Sequence, residues 1–324
     1  MAPLKPYDAP SSVALAPAVL MTDDALLAAV QARGETTGKA SSNQTLFIMA
    51  ALFIGLGGLR WGWRSVVYLA VAIALHELGH VFAMIVFGYK NVRVLFVPLF
   101  GGLAMGEPRE LDATKNALVA LAGPVLGLVT AVGAAVIAVR YGSPAWLVSY
   151  AWTALFLNAF NLLPLVPLDG GQFANDALFS RYPVVELIFR LVAIAGLAWL
   201  TLTLHLWILG LVALFMLVST PLAFRRARLI RDARRDPRWQ TRELDREAVV
   251  ELRGVVTSIF KAVAQTKYQA KLLEHVHAVW LEIRKRFPGP GTTVALLASY
   301  GFLCVVVVPV IAVCFARFLP RPAL

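Results

Sequence analysis

The feature that most limits the fold of this chain is a series of apolar runs about as long as a bilayer is thick. Ser65–Phe87, Asn116–Val139 and Ala145–Val166 each approach or exceed the roughly 20 residues that a spanning helix needs. From Val184 to Leu222 the chain is nearly all apolar, too long for one ordinary span, and it divides near His205 into two. Thr293–Phe315 is a last run. Leu46–Leu59, shorter and carrying Gly55, Gly57 and Gly58, is a first one, followed by an interfacial belt of Trp61 and Trp63 beside Arg60 and Arg64. In hydrocarbon each backbone N–H and C=O must be satisfied within its own segment, so these runs predict helices. The short alternating segments of a β-barrel do not dominate. The predicted fold class is therefore an all-α polytopic membrane protein with about seven transmembrane helices. Composition agrees, with 15% charged residues against about a quarter in soluble domains.

The formal net charge of +11 would suit a nucleic-acid partner if it were spread over a folded surface. Instead the excess lies largely in Arg225–Arg286, directly after an apolar run. That placement predicts a cytoplasmic segment attracted to anionic lipid heads, with no nucleic acid involved. Within it Val256, Ile259, Phe260, Val263, Leu273, Val276, Trp280, Ile283 and Phe287 recur at helical spacing. They predict an amphipathic helix on the membrane surface or against a partner. Residues 1–44 read as a polar tail, with a short helix from Thr22 that has Asp23 and Asp24 in its first turn and Gly34 at its end. The first twenty residues do not read as a secretory signal, since Lys5 is the one basic residue and Pro10 and Pro17 break the apolar stretch. The expected organisation is a tail over 1–44, a membrane core over 45–223, a basic segment over 224–291 and a last transmembrane helix in 292–324. Cys304 and Cys314 lie inside that last run and predict apolar packing, neither a disulfide nor a thiolate metal site.

Two segments depart from plain helix. Asn91–Glu107 is rich in β-formers, and Pro98, Gly101 and Gly102 discourage a helix, so a strand pair beside the helices is expected. Gly123, Gly127, Ala131 and Gly133 are spaced to let a neighbouring helix approach closely.

The chemistry is concentrated in His76-Glu77-Leu78-Gly79-His80, near the middle of an apolar run. Positions i and i+4 share a helix face, so both imidazoles can reach one metal ion, and Glu77 can serve as general base toward a water there. Ionisable groups at such depth are costly and mark function. A catalytic zinc site takes three protein ligands and leaves one position open. Three residues are candidates for the third ligand. His205 falls at a turn and suits an interfacial position. Glu186 starts a helix, where the dipole favours a negative charge. Asp169 precedes Gly170 and Gly171, where a bend lets a short carboxylate reach inward, although Asp-Gly pairs also serve as ordinary turns. His275 and His277, two residues apart, point in different directions on a helix and read as surface residues.

The motif pair His76–His80 and Asn161-Leu-Leu-Pro-Leu-Val-Pro-Leu-Asp169-Gly170 resembles that of the site-2 protease family of intramembrane metalloproteases. The resemblance implies that His76, His80 and Asp169 bind zinc, that Glu77 is the catalytic carboxylate, and that Asn161 positions the scissile carbonyl or steadies its oxyanion. It implies a three-helix catalytic core made of Ser65–Phe87, Asn116–Val139 and Ala145–Val166, with a small β-strand element near the active site. Pro98-Leu99-Phe100-Gly101-Gly102 and Ala122-Gly123-Pro124 are similar to further segments of the family. Many members carry an Asn a few residues after the Ala-Gly-Pro, and here Gly127 occupies that neighbourhood. The likeness covers about residues 45–223. The expected activity is hydrolysis of a peptide bond within or near a transmembrane segment of single-span or other membrane-protein substrates, in regulated intramembrane proteolysis. The expected place is the cell (inner) membrane, with the active site towards the cytoplasm. A metal transporter or metal-sensing protein is the alternative. It would not need Glu77 beside the metal, and it would line the other spans with polar residues, of which they are almost bare.

Overall fold

The computed structural model describes residues 22–35, 62–97, 101–107, 112–166, 168–205, 207–241, 243–259 and 269–318. The run Leu46–Leu59, Pro98–Phe100 and Cys314's side chain lie outside what is described. The described residues form two compact bodies. One joins 22–35 to Asp232–Ile283, and the other holds the remainder.

The larger body is built on helices. The first, α2 (Trp63–Val86), buries Ala72, Ile73, His76, Glu77, Gly79, His80 and Ala83 along one stripe. Its opposite side exposes Val67, Val71, Leu78, Phe82 and Ile85, an apolar surface suited to lipid. At its end Gly88 takes φ 73, and the N–H groups of Tyr89 and Gly88 return to the carbonyls of Met84 and Ile85. This left-handed cap turns the chain into β1 (Lys90–Val97). Antiparallel β1 and β2 (Gly101–Glu107) pair Val94 with Ala104 and Val97 with Gly101, so the expected strand pair is present.

The helix α3 (Ala113–Arg140) starts at Asp112, whose carboxylate accepts from the N–H groups of Thr114 and Lys115 at 2.7 and 3.3 Å. Its stripe of Ala117, Ala120, Gly123, Gly127, Ala131 and Ala134 is buried, which brings α2 and α4 (Ala145–Asn161) close on either side. The fourth predicted span, Ala145–Val166, is shorter as a helix, at 17 residues. Pro164 disfavours helical backbone at Leu163, and residues 162–166 instead form turns that lead to α5 (Asp169–Ala174) and the π-helical Asn175–Phe179.

The long apolar stretch divides as expected. It forms α6 (Pro183–Leu204) and α7 (Trp207–Arg235), between which His205 adopts φ 54. α11 (Pro290–Phe318) closes the body and packs Leu296 and Val307 into the core beside Phe173 and Leu155. Among the described residues four helices are long and apolar enough to cross a membrane: Trp63–Val86, Ala113–Arg140, Pro183–Thr203 and Leu209–Arg235. The chain is thus a largely helical integral membrane protein.

The smaller body contains α1 (Asp23–Glu35), α8 (Arg238–Thr241), α9 (Arg246–Ile259) and α10 (Gln269–Ile283). The apolar stripe predicted in the basic segment is split between α9 and α10. Of its residues Val256, Ile259, Val276, Trp280 and Ile283 are buried, joined by Val249, Leu252 and Val279, against Leu26 and Val30 of α1, while Phe260 and Val263 lie outside the described residues. Arg253 pairs with Asp23 at 2.6 Å, and the Gln31 amide donates to the Leu244 carbonyl. The stripe therefore faces protein and not a lipid surface, and the helix predicted from Thr22 is one of its partners.

Candidate metal centre

Three donor atoms from two elements converge in the larger body. His76 and His80 stand one turn apart on α2, and Asp169 opens α5. His76 Nε2 lies 3.1 Å from His80 Nε2, and Asp169 Oδ2 lies 3.0 and 3.4 Å from the two nitrogens. A tetrahedral ion with ligand bonds of about 2.0–2.1 Å has ligand–ligand edges of about 3.3–3.4 Å. The observed triangle is close to one such face. Both imidazoles are buried, at 5% and 7% exposure.

The tautomers follow from the partners. His80 Nδ1 lies 2.8 Å from the Val119 carbonyl, which can only accept, so Nδ1 carries the proton. His76 Nδ1 lies 2.8 Å from Asn158 Oδ1. The Asn158 amide nitrogen is committed as donor to the Ala154 carbonyl at 2.6 Å, so its oxygen faces His76, whose Nδ1 is again protonated. Both Nε2 atoms are therefore lone-pair bearers, and they point toward the same place as a carboxylate oxygen. Asp169 Oδ2 is buried and makes no hydrogen bond to any described residue, although both imidazoles are near. A set of acceptors facing one another with no proton between them suits a cation. Two neutral imidazoles and one carboxylate are the donor set of a catalytic zinc site with a fourth position open. His76, His80 and Asp169 are also the one group of metal-capable side chains among the described residues.

Glu77 shares the buried stripe of α2 at 5% exposure. The backbone of Ala104 on β2 lies near its carboxylate, and its buried Oε2 has no hydrogen-bond partner among the described residues. An oxygen of this carboxylate is therefore available beside the hairpin. Tyr89 steadies the hairpin base by donating to Asn116 at 2.5 Å. Burial, with Asp176 and Asp112 nearby, pushes its phenol up to about 12, which keeps it a neutral donor.

The remaining candidates lie elsewhere. His205 is exposed at the α6–α7 junction, and Glu186 pairs with Arg190 at 3.5 Å on α6. Asn161 donates its amide to the Leu157 carbonyl at 3.0 Å, back along its own helix. Three contributors were not anticipated from the sequence. Asn158 orients His76, the Val119 carbonyl orients His80, and Gly123 makes room for the His80 ring. A Cβ built on Gly123 would fall 2.6 Å from His80 Cε1 and 2.7 Å from Cδ2. A polar Asn158 inside an apolar run was the available signal for the first. Tyr300 of α11 braces the ligand-bearing turn, donating to the Leu162 carbonyl and stacking on Phe173 with ring centroids 4.9 Å apart.

No family profile matches the chain. A zinc metalloprotease of Methanocaldococcus jannaschii is 27% identical over 146 residues, which are 43% of this chain and 42% of that protein. A Synechocystis protein assigned as a zinc metalloprotease is 33% identical over 130 residues, 38% of this chain and 34% of that protein. The chain thus spans less than half the length of either relative. The solved site-2 protease from Methanocaldococcus jannaschii aligns with 55% of this chain and 87% of its own, at 23% identity and a TM-score of 0.39.

Proposed function

We propose that the chain belongs to the site-2 protease family of zinc metalloproteases, a reading supported by the paired motifs and by the similarities to zinc metalloproteases, and that it hydrolyses a peptide bond within or near a transmembrane segment of membrane-protein substrates, in regulated intramembrane proteolysis. The observation that carries this reading is the convergence of His76 Nε2, His80 Nε2 and Asp169 Oδ2 as three acceptors, with the buried carboxylate of Glu77 next to the first of them in the chain.

His76, His80 and Asp169 would hold zinc, which when bound would supply Lewis-acid polarisation of a carbonyl and a water acidified to a pKa of about 7. Glu77 takes the proton of the attacking water on its free oxygen and then delivers it to the leaving amine. Asn161 turns its amide from Leu157 to the developing oxyanion. The buried apolar walls of α2 and α3 keep bulk water from Glu77. A substrate helix hides its carbonyls in its own hydrogen bonds, so it unwinds locally, and the unwound strand pairs with the β1–β2 hairpin.

The proposed architecture has about seven spans around a core of α2, α3 and α4. The core lies in residues 45–223, the basic segment in 224–291 and the last span in 292–324. The Arg225–Arg286 block and the N-terminal residues face the cytoplasm of the cell membrane, near anionic lipids, and the active site opens to that side. Packing of α1 with α9 and α10 supports this topology. One folded body lies on one side of a bilayer, so the chain between residues 36 and 231 crosses an even number of times.

The test is co-expression with single-span membrane proteins. Cleavage by the wild type that is lost in Glu77→Gln, with zinc retained, is the expected result. Unchanged cleavage in all partners, together with a shift in cellular metal content, would replace this reading by metal transport.

A further inference from the structure

We propose that Asn158 is the positioning residue that sets the tautomer and orientation of His76 for metal binding, and that the missing side chain at Gly127 is what admits it. The inference rests on the metal-site reading above. Asn158 has no exposed surface and sits on α4, which supplies no metal ligand. Its amide is held by the Ala154 carbonyl at 2.6 Å and its oxygen by His76 Nδ1 at 2.8 Å, so the carboxamide cannot turn over without facing donor with donor. The space it fills belongs to α3. A Cβ built on Gly127 would overlap Asn158 Oδ1, Nδ2 and Cγ alike. The departure at Gly127 therefore has a counterpart on the neighbouring helix, where α4 delivers an acceptor through the gap in α3.

The two histidines are supported unequally. His80 rests on a backbone carbonyl, Val119, that no substitution removes. His76 rests on a side chain. Losing an outer hydrogen-bond partner of a metal-bound histidine typically costs about 10- to 100-fold in metal affinity. Without the acceptor, the His76 ring is free to protonate at Nε2 and turn its N–H toward the metal position.

The experiment measures zinc affinity of the purified full-length protein in detergent by competition with a chromophoric chelator, with thermal melting of the zinc-free protein as the check on folding. Asn158→Leu keeps the branching and the number of heavy atoms and removes the acceptor, with some added bulk. Asn158→Ala removes the acceptor without adding bulk, should the leucine variant not fold. Asn158→Asp presents an acceptor oxygen to Nδ1 in either ionisation state. The leucine and alanine variants should bind zinc about 10- to 100-fold more weakly, and the aspartate variant within about threefold of wild type. Gly127→Ala, which evicts the carboxamide, should weaken zinc like Asn158→Ala. A leucine variant with wild-type affinity, or an aspartate variant as weak as the leucine one, assigns Asn158 to packing and overturns the proposal. If His80→Ala also keeps wild-type zinc, the failure lies in the metal-site reading instead.

Discussion

Gly123→Ala tests the geometry of the metal centre through a residue that bears no donor. A Cβ there would sit 2.6 Å from Cε1 and 2.7 Å from Cδ2 of His80, where ordinary carbon contacts are about 3.5–4.0 Å. The ring must therefore retreat by close to 1 Å, or α3 must move away from α2. The ring has little freedom to retreat, because Nδ1 is tied to the Val119 carbonyl one turn earlier on the same helix as Gly123. Added bulk in a close-packed interior costs about 1–3 kcal/mol. Metal–ligand distances tolerate only about 0.2 Å, so most of that cost falls on the metal-bound state. At 1.4 kcal/mol per decade this is roughly 5- to 150-fold in zinc affinity. Gly133→Ala is the control, since a Cβ there meets nothing within 4 Å, and alanine in a helix is favoured over glycine by about 0.5–1 kcal/mol. The assay is chelator competition on the two variants side by side. Wild-type zinc affinity in Gly123→Ala would refute the placement of His80 against α3.

Two further outcomes are expected. Asp169→Ala should leave the purified protein without tightly held zinc, as read by metal analysis after gel filtration; retention of about one zinc per chain would remove Asp169 from the ligand set. A cysteine introduced by Arg238→Cys, at an exposed position of the smaller body, should resist a membrane-impermeant thiol reagent in intact cells and react after lysis, and labelling from outside would invert the topology.

The sequence exposed what depends on local pattern and concealed what depends on pairing. Long apolar runs declared α2, α3, α6 and α7, and the division expected near His205 falls there, between α6 and α7. The valine- and phenylalanine-rich stretch followed by Gly101 and Gly102 declared the hairpin. The end of α4 at Asn161 was missed because hydropathy continues to Val166 while Pro164 stops the backbone. His76 and His80 were readable as a pair from their i, i+4 spacing, whereas Asp169 was one of three candidates that only the motif resemblance singled out, and the structure brings the three donors together. Asn158 was not readable, since an isolated Asn in an apolar helix does not state its partner. The Val119 carbonyl leaves no mark in a sequence at all. In the smaller body, periodicity revealed the apolar stripe of α9 and α10. What covers it is α1, more than two hundred residues away in the chain, and that follows only from topology.

Charge balance gives an independent argument for the ion at the centre. Ionised groups inside an apolar body persist when paired. In the larger body Asp176 is paired with Lys285 and Glu186 with Arg190. Two carboxylates, Asp169 and Glu77, stand beside imidazoles whose tautomers are neutral, and no Lys or Arg is within ion-pair distance of either among the described residues. A divalent ion at the three donors neutralises the pair. The outer partners of the histidines are a carboxamide and a backbone carbonyl, both uncharged acceptors. A second-layer carboxylate in either place would hold the same tautomer but leave the buried cluster with an extra negative charge. The neutral acceptors orient both rings without adding charge to the buried cluster.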